Sequence, residues 1–370
     1  MADVTGVTHG TGSPGAGEDG PMDLAALERE ATALLPAHVA DYVRATAGGP
    51  EVLTEATAAW DAFRHRPRVL RDSRSPATGT TVLGVPVATP VLIAPMAQQI
   101  AAHPDGEAVS ARAAAAEGSL LGVSTFTGAP FTSIAAGGAP WWFQVYVLED
   151  LGLTDLLVDR AVAAGAAAIV LTADITGLVH PAPGAAHSVE PSEWGDVPEA
   201  RRLGNLTADE RARLAVGGNR IARGLGFDAV RRLAERSGLP VVVKGVLRGD
   251  DARRAVDAGA AGVLVSTHGG RALASAVPSA RALAEVVAAV GDGAEVYADS
   301  GIRSGRHVAT ALALGARAVF VGRPVWWALA ARGEAGVREV VAGLTRELAV
   351  TMDLLGAGSV AELTPDLLAP

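Results

Sequence analysis

The stretch Val263-Leu264-Val265-Ser266-Thr267-His268-Gly269-Gly270-Arg271 predicts a buried strand that ends in a cluster of polar residues. A short β-branched apolar run next to glycine is typical of such a strand. The polar residues then lie at its C-terminal end, which in an α/β barrel carries the active site. His268 can exchange a proton near neutral pH, and Arg271 offers a planar fork of donors to a carboxylate. A loop histidine with a solvated arginine is the structural alternative.

Runs of this kind alternate with alanine-rich helical stretches along most of the chain. The predicted strands are 91–94, 120–124, 142–147, 168–172, 241–244, 262–266, 295–299 and 318–321. The clearest helices between them are 107–117, 151–164, 227–237, 250–258, 280–290 and 306–314, and several run into a glycine, where a left-handed C-terminal cap is expected. Strict alternation implies parallel pairing by right-handed crossovers. The number of strands predicts a closed (β/α)₈ TIM barrel rather than an open sheet.

The flanking segments complete the predicted organisation. Residues 1–21 are rich in Gly, Thr and Asp without an apolar run, so we expect a disordered tail rather than a signal peptide. Helices are predicted at 22–35, 38–44 and 54–63, the last with Thr54 as its N-cap, and a long helix at 336–355. Residues 22–370 then form a single domain. Its long Pro/Gly-rich loop after the fourth strand, from Asp174 to Phe227, suggests a lid.

Composition excludes several classes of function. A net charge of −9 and a pI near 5.4 argue against a nucleic-acid surface. The absence of cysteine excludes disulfides, thiolate catalysis and Cys-ligated metals, and we expect no metal site. No apolar run approaches the roughly 18 residues that a membrane-spanning helix needs, so we expect a cytoplasmic protein. Hydrophobic residues make up 49% and aromatic residues only 4%, which predicts a core of Ala, Val and Leu.

Almost every predicted strand ends in a polar or small residue, and in a barrel these ends share one rim. In chain order, the residues at or just after these strand ends are Pro95, Met96, Ala97, Gln98, Ser124, Thr125, Gln144, Tyr146, Thr172, Asp174, Lys244, Ser266, His268, Asp299, Ser300, Gly301, Ile302, Arg303, Gly322 and Arg323. Any one of them is explained by a satisfied hydrogen bond, but stability alone favours apolar ends. Lys244 follows apolar residues, so its ammonium needs an anionic or electron-rich partner. An internal ion pair with a carboxylate is the structural alternative.

The ends of the last two strands predict a phosphate site. Barrels commonly bind phosphate in the loops that follow strands seven and eight. Gly301 and Gly322 offer backbone N–H groups there, and Arg303 and Arg323 offer guanidinium donors. A phosphorylated ligand is therefore expected.

Taken together, these motifs resemble those of the FMN-dependent 2-hydroxy-acid oxidases and dehydrogenases, such as glycolate oxidase, lactate oxidase and mandelate dehydrogenase. The stretch Ser266–Arg271 is similar to the family signature, which normally has Asn where Thr267 stands. Further matches are Ala94-Pro95, His103-Pro104-Asp105-Gly106-Glu107, Gln144-Val145-Tyr146, Lys244-Gly245-Val246 and Gly322-Arg323-Pro324. The resemblance extends from about Asp23 to the C-terminus. It implies an FMN-binding barrel domain that oxidises a 2-hydroxy acid to a 2-oxo acid.

The resemblance also implies a role for each matched residue. FMN contacts the backbone of Pro95, Met96 and Ala97, and its ring bonds to Ser124, Gln144 and Thr172. Lys244 lies near flavin N1, Ser266 touches the cofactor, and Asp299 lies near the ribityl chain, with Ser300 also among the cofactor-binding residues. The phosphate binds Gly301, Arg303, Gly322 and Arg323.

For the substrate, the resemblance implies that Tyr42 and Arg271 hold the carboxylate and Tyr146 holds the substrate oxygen. Tyr146 and Lys244 count among the catalytic residues. His268 is the base, and Asp174 stabilises its charged form, because a neighbouring carboxylate raises the pKa of a histidine. The electron acceptor is oxygen or another carrier. Family members are often homotetramers, but the residues themselves leave the oligomeric state open.

Three departures from the family pattern keep other functions open, and Thr267 in place of the usual Asn is one of them. The family commonly has an arginine shortly after the aspartate, whereas here Asp174 is followed by 175–181, Ile-Thr-Gly-Leu-Val-His-Pro, with no arginine before Arg201. After Arg271, Ala-Leu-Ala-Ser replaces the usual Gln-Leu-Asp. One alternative is FMN-dependent oxidation of a specialised metabolite or a modified peptide. A second is a flavin-binding barrel without turnover.

Overall fold

The computed structural model describes residues 22–71, 74–175, 203–216 and 221–369. The expected disordered tail, 1–21, lies outside the described residues, as does much of the expected lid. Three helices come first: α1 Leu24–Leu34, α2 Ala37–Arg44 and α3 Glu51–Asp61. The prediction of Thr54 as an N-cap is wrong, because α3 begins directly after Pro50. The fixed φ of proline suits a helix start, and Glu51 places negative charge in the first turn.

A short hairpin, β1 Thr80–Val82 and β2 Val85–Val87, closes the N-terminal end of the barrel. Val82 and Val87 pack with the side chains that fill the barrel. The backbone N–H of Leu83 donates to a carboxylate oxygen of Glu295, the first residue of a barrel strand, at 3.0 Å. The opposite, C-terminal end of the barrel is therefore the end available for a site.

Eight parallel strands close into one barrel, each paired with the next along the chain and the last with the first. They are β3 Val91–Met96, β4 Leu121–Val123, β5 Trp141–Val145, β6 Ala168–Thr172, β7 Val241–Val246, β8 Gly262–Val265, β9 Glu295–Ala298 and β10 Ala318–Val321. The predicted TIM barrel is confirmed, and each predicted strand boundary lies within two residues of the observed one.

Helices follow the strands on the outside. They are α4 Glu107–Ala116, α5 Phe131–Ala135, α6 Leu151–Ala163, α7 Ala208–Val216, α8 Asp228–Ser237, α9 Gly249–Asp257, α10 Ser279–Val290, α11 Gly305–Ala313 and α12 Arg323–Leu355. Four of the barrel helices end at glycines with positive φ, as expected: Gly118, Gly165, Gly259 and Gly315. The predicted C-terminal helix is longer than expected, since α12 starts at Arg323 and is broken at Gly333. The short α5 and the loop helix α7 were not predicted. None of the helices in these described ranges is long and apolar enough to span a membrane.

Strand alternation determines which side chains enter the barrel. Successive residues of a strand point to opposite faces, and one face packs on the helices while the other fills the barrel. The filling layer contains Trp142, Val170, Val242, Leu264 and Tyr297. Two residues further along the same strands, the inward positions become polar: Gln144, Thr172, Lys244, Ser266 and Asp299. The polar layer thus lies directly above an apolar floor.

Candidate active site

Lys244 occupies the polar layer of the barrel with its side chain only 5% exposed. Its ammonium donates to Ser266 Oγ at 2.9 Å and lies 3.7 Å from Asp299 Oδ2. It also approaches His268 Nδ1 at 3.5 Å. The expected carboxylate partner is therefore present, but at more than hydrogen-bond distance, and the ammonium faces the histidine as well.

His268 lies between a carboxylate and a phenol. Its Nδ1 is 3.0 Å from Asp174 Oδ1, and its Nε2 is 3.1 Å from the hydroxyl of Tyr146. Because a carboxylate only accepts, Nδ1 carries the proton and Nε2 is the acceptor nitrogen of the neutral ring, to which the Tyr146 hydroxyl donates. The backbone N–H of His268 donates to Ser266 Oγ at 3.0 Å, which fixes the start of the loop. The residues predicted to form the base, its partner and the substrate-oxygen ligand are thus brought together.

The charges around His268 oppose one another. Burial lowers the pKa of His268, the Lys244 ammonium lowers it further, and Asp174 opposes both, so that the pKa lies below its ordinary value. The expected increase from Asp174 is therefore outweighed. Burial raises the pKa of Asp174, but the nearby charges of His268 and Lys244 bring it below its usual value. At neutral pH the ring is accordingly neutral and the carboxylate ionised.

Gly245 provides the space for Asp174. Its φ is +102°, and a Cβ at this position would lie 2.5 Å from both Cβ and Cγ of Asp174. A side chain here would displace the carboxylate from His268. This steric requirement accounts for the glycine that follows Lys244 in the sequence motif.

Arg271 and Tyr42 also lie together. The Arg271 guanidinium lies over the Tyr42 ring, 4.9 Å from its centroid, and donates to the carbonyl oxygens of Tyr42 and Val43. Burial raises the pKa of the Tyr42 hydroxyl, although Arg271 opposes this, so the hydroxyl is a neutral donor at neutral pH. Helix α2 thus places Tyr42 beside Arg271, and these are the two residues predicted to bind the substrate carboxylate.

Two more guanidinium groups lie on the rim. Arg323, at the start of α12, donates from Nε to Val43 O at 2.9 Å and from Nη2 to Ala45 O at 3.0 Å. Arg303 donates to Ile302 O at 2.7 Å. Burial lowers the pKa of both groups, that of Arg323 well below its ordinary value. Among the described residues neither forms an ion pair with a carboxylate. The rim therefore carries uncompensated positive charge, which favours an anion.

The polar side chains assigned to the flavin ring form a connected row. Gln144 Nε2 donates to Thr172 Oγ1 at 2.8 Å, and Gln144 Oε1 accepts from the backbone of Thr125 at 3.2 Å. Ser124 Oγ accepts from Phe126 N at 3.2 Å. Pro95 and Met96 end the neighbouring strand β3, and Ala97 follows directly. These residues are therefore on one side of the barrel end.

The loop after β9 places the other predicted cofactor residues. Asp299 faces Lys244, and Ser300 and Gly301 follow it with positive φ values of 68° and 88°. A Cβ at Gly301 would lie 2.4 Å from Ala56 O, so this loop packs tightly on α3. On the next loop, a Cβ at Gly322 would be 3.6 Å from Met96 Sδ. The two loops predicted to bind phosphate thus lie against α3 and β3.

An aromatic stack borders the site. The rings of Phe126 and Tyr146 are 5.5 Å apart with an interplanar angle of 27°. The rings of Tyr146 and His268 are 6.3 Å apart with an angle of 21°. An apolar surface therefore continues outward from the histidine.

Sequence reasoning missed two groups that hold these loops in place. Glu107, fully buried in α4, accepts from Gln99 N at 3.3 Å and from Ala129 N at 3.1 Å, and so connects the loops after β3 and β4. His307 Nδ1 accepts from Arg303 N at 3.2 Å, and its Nε2 is 3.0 Å from Asp61 Oδ1. Glu107 lies in a motif that the sequence analysis noted, but no sequence signal indicates that its carboxyl is buried.

Comparisons with known proteins agree with this geometry. The chain matches the family described as FMN-dependent dehydrogenase over residues 31–370. It is 39% identical over 363 residues to an L-lactate oxidase of Nostoc sp., covering 94% of this chain and 98% of that protein. It is 40% identical over 348 residues to a 4-hydroxymandelate oxidase of Amycolatopsis orientalis, covering 92% and 96%. A crystal structure of mandelate oxidase superposes with a TM-score of 0.82 at 39% identity, covering 94% of this chain and 97% of the other.

The buried histidines predict that acid destabilises the protein. Burial lowers the pKa of both His268 and His307 below the unfolded value, so the unfolded chain binds protons first. The free energy of unfolding should be constant above about pH 6.5 and should fall as the pH drops through the folded pKa values. Urea titrations at about pH 7.5 and about pH 5.5 measure this change.

A single variant isolates one of these histidines. His307→Asn keeps an acceptor for Arg303 N–H at every pH, because an amide does not take up a proton in this range. The free energy of unfolding should therefore decrease less on acidification than in the unmutated protein. Equal unfolding free energies at the two pH values in the unmutated protein would contradict the prediction.

Proposed function

The chain belongs to the FMN-dependent dehydrogenase family. We propose a role for each residue at the C-terminal end of its barrel in the oxidation of a 2-hydroxy acid to a 2-oxo acid. The enzyme is an FMN-dependent oxidoreductase that acts on the CH–OH group of such acids, as are its relatives. The observation that carries the division of roles is the placement of His268 between Asp174 and Tyr146.

The charges and donors of the mouth fit FMN. A phosphate would balance Arg303 and Arg323, two buried cations without a carboxylate partner in the described part of the chain. The backbone of Gly301 and Gly322 would add donors beside them. The ring would lie on the polar layer of Gln144, Thr172, Lys244 and Ser266, with Pro95, Met96, Ala97 and Ser124 along one edge and Asp299 toward the ribityl chain. When bound, FMN would accept the hydrogen of the substrate's α carbon together with the two electrons, while the hydroxyl proton goes to the protein.

His268 takes the proton from the substrate hydroxyl. Its Nε2 is the unprotonated nitrogen, and the pKa lowered by burial keeps it unprotonated at neutral pH. Once Nε2 is protonated, the charged ring is stabilised by the Asp174 carboxylate, which lies 3.0 Å from the other ring nitrogen, Nδ1. The Tyr146 hydroxyl, whose pKa burial raises strongly, stays neutral and, when the substrate is bound, turns its one proton from His268 Nε2 to the substrate oxygen. Lys244 supplies positive charge beside the electron acceptor.

Arg271 and Tyr42 hold the substrate carboxylate. The contacts of Arg271 with the Tyr42 ring and with two carbonyl oxygens fix the guanidinium before a ligand arrives. A fixed fork binds a carboxylate with little loss of side-chain entropy. The sequence offers no arginine between Asp174 and Arg201, so Arg271 carries more of this binding than one member of an arginine pair would.

The substrate carries an apolar, aromatic substituent. Phe126 continues the stacked surface of Tyr146 and His268, so a ring bound next to the reacting carbon extends that stack. Relatives named for such acids support this choice, among them the 4-hydroxymandelate oxidase and mandelate oxidase, which has been crystallised with benzoyl-formic acid. The relatives are named oxidases, and we take oxygen as the electron acceptor.

The absence of an arginine between Asp174 and Arg201 favours a second candidate function, the oxidation of an uncharged substrate. An uncharged ester or amide, as in a specialised metabolite or a modified peptide, would lose less binding here than at a site with two arginines. Acid and ester forms of one substrate separate the two functions.

Removal of Arg323 should release FMN. Arg323→Ala removes one of the two guanidinium groups at the phosphate, so affinity for FMN should fall at least tenfold, while affinity for riboflavin, which lacks the phosphate, should change little. Flavin fluorescence titration of the apoprotein measures both constants. Arg338→Ala on the same helix, which breaks an exposed pair with Glu117, is the matched control. Equal losses for FMN and riboflavin would show that the variant is misfolded or that the phosphate lies elsewhere.

Removal of the base should separate binding from reduction. His268→Ala should retain FMN, but the substrate should reduce this FMN about 10² to 10⁴ times more slowly than in the unmutated protein. In the unmutated protein the reduction rate should rise with pH and be half-maximal below the ordinary histidine value of about 6.5, because burial lowers the pKa of the base. Anaerobic stopped-flow absorbance measures both. Near-normal single-turnover reduction in the variant would assign the base to another group.

Substrate preference should follow Phe126 and Arg271. Mandelate should reduce the flavin faster than glycolate, and Phe126→Ala should lessen that preference. Arg271→Lys should abolish the preference for an acid over its ester, because the planar fork is lost. Anaerobic reduction by matched acids and esters is the measurement. Equal rates with acid and ester in the unmutated protein would refute carboxylate recognition and support the second function.

A further inference from the structure

Ser300 adopts a backbone conformation that side chains rarely take. Its φ is +68°, in the left-handed region, where glycine is the usual residue. Trp60 Nε1 donates to its carbonyl oxygen at 2.9 Å, and Ser279 Oγ, whose one proton is shared with Asp299 O at 2.6 Å, lies 3.1 Å from the same oxygen. A side chain at such a position costs conformational free energy. The contacts of the Ser300 hydroxyl indicate why the protein keeps a serine in this unfavourable conformation.

The Ser300 hydroxyl is fully used by the protein. It accepts from the backbone N–H of Thr267 at 3.2 Å and of Gly269 at 3.1 Å, and it donates to Asp299 Oδ1 at 2.6 Å. A hydroxyl has one proton and two acceptor positions, so all three are occupied. The prediction that Ser300 binds the cofactor stays a prediction, and these three bonds describe its hydroxyl alone.

The two accepted bonds lie on either side of His268. The loop turns through three successive left-handed residues, with φ of 55° at His268, 66° at Gly269 and 79° at Gly270. Such a turn directs neighbouring N–H groups toward a common acceptor. Ser300 Oγ is that acceptor for the residues before and after His268, and it therefore fixes the backbone that carries the base.

The donated bond acts on the other side of the site. It engages Asp299 Oδ1, which leaves Oδ2 to face the Lys244 ammonium at 3.7 Å. Lys244 in turn lies 3.5 Å from His268 Nδ1. The hydroxyl of Ser300 is thus bonded both to the loop of the base and to the carboxylate that faces the ammonium.

We propose that Ser300 is a positioning residue that ties the His268 loop to the Asp299–Lys244 pair. Without its hydroxyl, two N–H groups and one carboxylate oxygen lose their common partner, and the base moves relative to the ammonium. This role rests on the proposed function of His268 and Lys244, but the tie itself is independent of turnover.

Two substitutions distinguish the hydroxyl from the backbone. Ser300→Ala and Ser300→Gly both remove the hydroxyl, whereas only glycine also relieves the left-handed conformation. Both should slow flavin reduction by about tenfold, the effect of losing about one hydrogen bond in the transition state. Both should also shift the apparent pKa in the pH profile of reduction. Recovery of the normal rate and profile by Ser300→Gly alone would assign the effect to backbone strain and overturn the proposal.

A double mutant tests the path through Asp299. If Ser300 acts partly by orienting that carboxylate, Ser300→Ala should slow reduction less in an Asp299→Asn background than in the unmutated protein. Ser304→Ala is the matched control, because Ser304 caps α11 from the same loop without touching Asp299 or the His268 loop. It should leave the pH profile unchanged. Full additivity with Asp299→Asn would overturn the tie to the Asp299–Lys244 pair, and an equal shift in Ser304→Ala would overturn the proposal as well.

Amide exchange separates this proposal from the proposed function. Hydrogen–deuterium exchange at Thr267 and Gly269 should accelerate at least tenfold in Ser300→Ala and stay constant in Ser304→Ala. This measurement does not require turnover, so it stands even if no 2-hydroxy acid reduces the flavin. A protein that is never reduced refutes the proposed function. Unchanged exchange in Ser300→Ala refutes the tie.

Discussion

Closure of the barrel is the constraint on which the site depends. In a closed parallel barrel the inward residues of neighbouring strands form layers, so a change from apolar to polar at the same step of several strands creates a continuous polar surface. The change occurs from Trp142 to Gln144, from Val242 to Lys244 and from Leu264 to Ser266. Because the hairpin of β1 and β2 covers the other end, that surface faces the only end left open in the described part of the barrel.

The polar end carries more positive than negative charge. Among the described residues, Lys244 and the three arginines at positions 271, 303 and 323 lie near the carboxylates of Asp174 and Asp299, while Glu28, which acts on Arg303 and Arg323, is already paired with Arg44. Buried charge of one sign is unfavourable without a partner. Burial lowers the pKa of Arg323 well below its ordinary value, and the nearby arginines add to this. On the proposed roles, a ligand phosphate and a substrate carboxylate would supply negative charge here, so ligand binding should also relieve an electrostatic cost of folding.

The sequence predicted what depends on local pattern. Strand periodicity gave the barrel and the rim residues, and the motif resemblance added Tyr42, which lies far from the strands in sequence. The N-cap at Thr54 was wrong because Pro50 starts the helix earlier. The roles of Glu107 and Ser300 were not predictable, because each depends on backbone N–H groups from loops distant in sequence. No periodicity records such contacts, and a positive φ at a serine is visible only in the folded backbone.

If His268 is the base, as proposed, the opposing charges of Lys244 and Asp174 beside it affect catalysis. A base must be unprotonated before the reaction and must hold the proton during it, and a fixed pKa serves only one of these states well. Burial and Lys244 keep the ring neutral, while Asp174 favours the charged form. An anionic substrate on Arg271 offsets part of the positive charge that lowers the pKa of His268. The ring therefore becomes a stronger base when the acid is bound than when the site is free, which couples proton removal to recognition of the carboxylate.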